Sequence, residues 1–167
     1  HLVSNDFSGT LETTISNITI LNIVDAAWSP ARGRALIRYQ DGRELKQLIA
    51  EATSSPKVAF LPKEAQSSAW SLDGRTLYWL QKQNDVFTLV AANRDGTNQR
   101  RRSFTTPIPD FVLSLVAAEK AVLRQKAASA FEAPLFLLNL RNFALSPLAS
   151  GFGLSAICIG IDHGWVT

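Results

Sequence analysis

The stretch Ala27-Trp28-Ser29-Pro30-Ala31-Arg32-Gly33-Arg34-Ala35-Leu36-Ile37 returns, with substitutions, as Ala69-Trp70-Ser71-Leu72-Asp73-Gly74-Arg75-Thr76-Leu77-Tyr78-Trp79. Trp28 and Trp70 stand 42 positions apart. Self-similarity at a period of this size marks a repeat architecture, in which one unit buries its apolar faces only against its neighbours.

The second unit is the clearest. Ala69-Trp70-Ser71 reads as a short inner strand, and Leu72-Asp73-Gly74-Arg75 as a tight turn whose Gly permits positive φ. Thr76 to Leu80, Val86 to Val90 and Gln99 to Phe104 read as three further strands, with polar residues 81–85 and the Asp95-Gly96 step turning the chain between them. Leu77-Tyr78-Trp79-Leu80 and Phe87-Thr88-Leu89-Val90 are apolar on both alternating faces, so sheet must pack on sheet from both sides. No amphipathic stretch of helical length separates them, which disfavours a parallel α/β core. A four-stranded unit of this length suits one blade of a β-propeller. The fold class expected is therefore all-β, a β-propeller of four-stranded antiparallel blades.

Three repeat units are expected in a single domain over residues 1–167, at about 25–61, 67–104 and 110–148. The third is degenerate, with Leu113 where Trp is expected. Residues 154–167 look like the first two strands of a blade and residues 1–16 like the last two. Together they make a fourth, composite blade. Two arrangements stay open: a four-blade ring closed through the two termini, which removes unpaired edges, or a piece of a larger propeller. In the second, a homo-oligomer could cover the open edges.

At 167 residues and 46% apolar, the chain can bury a substantial core. Charged residues make up 19%, below the roughly 25% of soluble domains, as a layered all-β body would require. The formal net charge of +3 is small and its signs are interspersed, which argues against a general nucleic-acid binder. No run approaches the ~18 apolar residues of a membrane span. Cys158 is the single cysteine, so no disulfide forms within the chain, and its apolar surroundings predict a buried, inert thiol. The chain begins at His1 and contains no Met, so it is not expected to be a primary translation product.

Trp28-Ser29-Pro30-Ala31-Arg32-Gly33-Arg34 and Trp70-Ser71-Leu72-Asp73-Gly74-Arg75 resemble the Trp-Ser-Pro-Asp-Gly-Arg/Lys signature of TolB-type propeller repeats. Residues 93–101, which close the second unit, are similar to the segment ending such a blade. The likeness departs at Ala31 and Leu72, and the third unit has lost the signature. The resemblance implies periplasmic or envelope-associated protein binding, or substrate gating in front of a peptidase domain. A cytoplasmic location is also compatible with the absence of a disulfide. In that family the motif residues are structural, since Trp packs and Asp-Gly turns, so the resemblance carries over no site residue.

Chemistry-bearing constellations are sparse. A Ser-His-Asp triad would need His1 or His163. Asp162 is adjacent to His163 in a turn, and Gly153-Leu154-Ser155-Ala156-Ile157 lacks the final Gly of a nucleophile elbow. One Cys, two His and no Asp-x-Asp loop do not suffice for a zinc or calcium site, and no cofactor motif is present. Asp73 and Asp95 are expected to form turns. Asn17-Ile18-Thr19 fits the glycosylation sequon. The densest basic patch is Arg100-Arg101-Arg102 with Arg94 nearby, and these four are the candidate partner-binding residues. On a strand, Arg100 and Arg102 share one face and Arg101 takes the other. The expected function is a non-catalytic binding or scaffold module that recognises a protein through loops at one end of the ring. The alternative is the gating propeller of a prolyl-oligopeptidase-like hydrolase.

Overall fold

A computed structural model describes residues 2–5, 12–16, 20–52, 57–84, 86–105, 110–125, 134–149, 157–158 and 165–166. They form strands joined by turns, bends and irregular segments, with no helix among them. Three four-stranded antiparallel sheets follow one another along the chain. The first blade is β3 (Ile23–Trp28), β4 (Arg34–Asp41), β5 (Glu44–Glu51) and β6 (Val58–Phe60), after the short strands β1 (Leu2–Asn5) and β2 (Glu12–Ser16). The second is β7 (Ala65–Trp70), β8 (Thr76–Gln83), β9 (Val86–Asn93) and β10 (Arg100–Thr105). The third is β11 (Phe111–Ala117), β12 (Lys120–Gln125), β13 (Leu135–Asn139) and β14 (Leu145–Ala149). β1 pairs with β2, and β15 (Ile157–Cys158) with β16 (Trp165–Val166), as two separate two-stranded sheets.

The strands outrun their sequence-read limits. Residues 81–83 continue β8 and residues 91–93 continue β9, so the connection between them is a tight turn. The inner strand β7 starts at Ala65 and ends at Trp70, leaving Ser71 in the turn. Blades 1 and 2 are copies in geometry as well as in sequence. Each inner strand carries an irregularity at the equivalent place, between Ile23 and Asp25 and between Ala65 and Ser67. In blade 3 it has moved to between Leu115 and Ala117.

The doubly apolar strands of blade 2 bury both faces, as their composition requires. Toward blade 1, Trp70, Leu77, Trp79 and Val90 pack on Leu36 and Ile49. Toward blade 3, Leu80, Phe87 and Leu89 pack on Phe111, Leu113 and Leu123. Leu113 faces the preceding blade, but the register sets it opposite Leu123, the fourth residue of β12, whereas Trp70 stands opposite Leu77, the second residue of β8. Phe87 and Phe111 meet edge to face, with ring centroids 5.3 Å apart.

Polar pins fix how the blades sit on one another. The Trp70 indole Nε1–H donates across to the Ala27 carbonyl at 3.0 Å. The buried Gln47 amide donates to the Ala65 carbonyl and accepts from Ser68 Oγ, both at 2.7 Å. Ser67 Oγ accepts from the backbone N–H of Leu113 at 2.9 Å. Buried polar groups cost free energy unless partnered, so each pin favours one alignment of neighbouring sheets over slipped ones.

Trp28 departs from the expectation, carried by the resemblance, that the motif tryptophan packs. Trp70 is 7% exposed and Trp28 56%. Trp70 has blade 1 against it, whereas the corresponding side of blade 1 is open among the described residues. On that side Ile20, Tyr39, Leu48, Val58 and Phe60 line a groove of about 450 Å³.

Candidate functional site

The arginine run lies on β10, the outermost strand of blade 2, where the register places Arg100 opposite Ala91 and Arg102 opposite Leu89. Paired residues share a face, so Arg100 and Arg102 point toward blade 3. Arg101, opposite Val90, belongs to the other face and donates to Gln99 Oε1 at 2.9 Å. Arg94 is exposed on the turn after β9 and does not border the groove between β10 and blade 3. The structure therefore brings Arg100 and Arg102 together on the groove, which Arg101 also borders, and leaves Arg94 apart.

Between β10 and the β13–β14 turn of blade 3 runs a groove of about 450 Å³. Its apolar floor comes from Leu89, Ala91 and Leu140, and the rings of Tyr78 and Phe143 flank it. Arg141 supplies a cation from the far wall and also pairs with Glu119 at 2.5 Å. No acidic side chain lines the groove among the described residues. Burial lifts the Tyr78 phenol above its ordinary value; Arg100 pulls the other way and Asp73 adds to the rise.

The far wall is held by a tightly hydrogen-bonded turn. Asn139 Oδ1 accepts from the N–H groups of Arg141 and Asn142, and Asn142 Oδ1 accepts from Ala144 N–H. Phe143 N–H donates to the Asn139 carbonyl, and Phe143 takes a left-handed φ of 61°. That conformation is rare for a bulky residue and costs on the order of 1–3 kcal/mol. It presents the Phe143 ring to Arg102, whose guanidinium carbon lies 5.7 Å from the ring centroid. Such a contact restrains an otherwise mobile side chain and leaves the guanidinium edge free to donate.

Sequence reasoning found the arginines and missed Tyr78, Arg141 and Phe143. The available signal was Asn139-Leu140-Arg141-Asn142, whose two Asn residues favour a local side-chain-to-backbone turn. His1, Asp162, His163, Ser155 and the sequon at residues 17–19 lie outside the described residues, and Cys158 does so for its side chain.

Eight chains of solved structure match this one in architecture. Among them, the crystal structure of TolB from Acinetobacter baumannii aligns with a TM-score of 0.57 and 11% sequence identity, over 87% of this chain and 36% of that one. The fold is TolB-like. The chain spans little more than a third of TolB, and at this identity the likeness concerns fold alone. No protein-family model and no curated protein matches the sequence.

Proposed function

We propose that the protein is a non-catalytic binding module of the propeller type that recognises a protein partner in the cell envelope. The observation that carries this reading is the open groove between blades 2 and 3, with arginines along its rim and an apolar floor on a rigid sheet scaffold. Interaction sites combine such features: apolar area supplies affinity, and placed charges set orientation and partner choice. The TolB-like fold and the signature at Trp28 and Trp70 support the envelope assignment. Crosslinking and affinity capture test the proposal, alongside incubation with a panel of peptides. A captured partner and an intact panel are expected. Hydrolysis of the panel with no partner recovered would replace this reading with an enzymatic one. A gene that continues past Thr167 into an α/β domain with Gly-x-Ser-x-Gly would replace it with the gating propeller.

The exposed Trp28 side of blade 1 supports a further element of the proposal: another sheet covers it, either a composite blade of residues 154–167 and 1–16 or a second copy of the chain. The solution mass separates these. A monomer at high concentration supports closure within the chain, and a dimer supports the second copy.

A further inference from the structure

We infer that the outer edge of β10, where Arg100 and Arg102 border the groove, takes an extended acidic peptide segment of the partner as an added strand, with carboxylates on alternate residues reaching back to the two guanidinium groups. The inference rests on the binding-module reading and narrows it to one site and one ligand chemistry.

Three features converge on such a ligand. β10 is hydrogen-bonded to β9 on one side and, among the described residues, ends its sheet on the other, so its outer backbone groups can pair with an incoming strand. Arg100 and Arg102 are two residues apart on the groove face. An extended chain advances about 3.3 Å per residue, so their spacing equals that of side chains i and i+2 in a strand lying opposite. Glu or Asp at those positions would each meet one guanidinium, a planar fork that matches a carboxylate. Finally, Leu89, Ala91, Leu140 and the rings of Tyr78 and Phe143 give the groove an apolar lining. Charge pairs formed beside it act through a lower effective dielectric than in open water.

Charges on an edge strand ordinarily guard against association. Here the guard is selective. Three consecutive arginines repel a second β10 and any basic strand, and they admit an acidic one. The same charges thus supply attraction toward one class and rejection of another. A nucleic acid fits less well. Phosphate backbones are followed by an extended basic track, whereas this groove is short and its far-wall cation Arg141 is paired to Glu119.

Fluorescence anisotropy with a labelled peptide of alternating Thr and Glu tests the inference on the full chain. The peptide is expected to bind, to slow hydrogen exchange of the β10 amides, and to lose about tenfold or more in affinity when Arg100→Ser and Arg102→Ser are combined. Arg94→Ser, on the turn outside the groove, is expected to leave affinity within about twofold. Both variants change exposed side chains, and matching denaturation midpoints would exclude unfolding as the cause. The inference is overturned by failure of the peptide to bind. It is also overturned if a peptide of the same composition with its Glu residues in one block binds equally well, or if oligothymidylate competes as strongly as the peptide. Equal losses from Arg94→Ser and the double variant would reveal diffuse attraction and overturn it too. A partner that crosslinks away from β10 sinks this inference while leaving the binding-module reading in place.

Discussion

Blades 1 and 2 share a motif, a register irregularity and a turn, yet their signature tryptophans live in opposite surroundings. Trp70 lies under blade 1 with its indole N–H bonded to the Ala27 carbonyl, whereas Trp28 is more than half exposed. The motif therefore does not bury its own tryptophan. It builds a knob that becomes core only when a preceding sheet supplies the apolar surface and a carbonyl. The turns differ as well. In the second repeat Gly74 occupies the left-handed position at φ 66°, while in the first that position falls on Arg32, at φ 60°, with Gly33 one residue late. Both turns close with the same backbone bonds, Ser29 N–H to the Arg34 carbonyl and Ser71 N–H to the Thr76 carbonyl. The first repeat closes the same turn with two consecutive left-handed residues, Arg32 and Gly33 at φ 73°, and so carries strain on an L-residue that the second avoids.

The sharpest test of the contrast is a pair of truncations. Trp70→Ala should cost about 3–5 kcal/mol, as loss of a buried aromatic does, whereas Trp28→Ala should cost under about 1 kcal/mol at an exposed site. Denaturant melts measure both. Trp28→Ala reads the face while it is uncovered, and equal costs would mean that the sheet proposed above to cover blade 1 already lies over Trp28. A smaller effect is expected at Gly74, where an added Cβ would lie 2.3 Å from the Ala31 backbone N and 2.6 Å from Ser29 Oγ. With the left-handed φ added, Gly74→Ala should cost about 2–3 kcal/mol, again read from the midpoint shift. A harmless substitution there would mean that the two turns do not touch. Arg32→Gly runs the other way. Relieving the strained φ should outweigh the entropy glycine adds to the unfolded chain and stabilise by about 0.5–1 kcal/mol.

The smallest effect concerns pH. Ser71 Oγ–H and then the Arg75 backbone N–H donate to Asp73 Oδ1 and hold its carboxyl below the usual range. A lowered folded-state pKa contributes stability above the unfolded-state value and loses it as pH falls through the folded one. Asp73→Asn should therefore flatten the acid limb of stability below about pH 4. The first repeat has Ala31 at that position and contributes nothing to the limb. An unchanged acid limb in the variant would show that the Asp73 bonds are too solvated to matter.

The sequence disclosed those parts of the fold whose cause is local. The motif, the Asp-Gly turns and the doubly apolar strands all act within a few residues, and each stands where its chemistry predicts. Ser67 and Ser68 were illegible as strand because small polar residues have little β preference. They are buried because Leu113 N–H and Gln47, from other blades, supply their partners. Ala91 and Ala92 extend β9 for a similar reason: packing, not propensity, holds them. The candidate site divides the same way. The arginine run and its alternation were visible, but the opposite wall comes from another repeat, and the left-handed Phe143 depends on bonds from Asn139 that no periodicity reports.

Trp79 is 1% exposed, and its indole Nε1–H finds no acceptor among the described residues. An indole in so dry and apolar a setting emits toward the blue, while Trp28, in contact with solvent, emits toward the red and is open to collisional quenchers. The two sit on opposite faces of blade 1, Trp79 packed between it and blade 2 and Trp28 on the far side. Because four tryptophans emit together, Trp28→Phe and Trp79→Phe variants identify the two contributions by difference: covering blade 1 then shifts and shields that of Trp28, and parting the two blades wets that of Trp79.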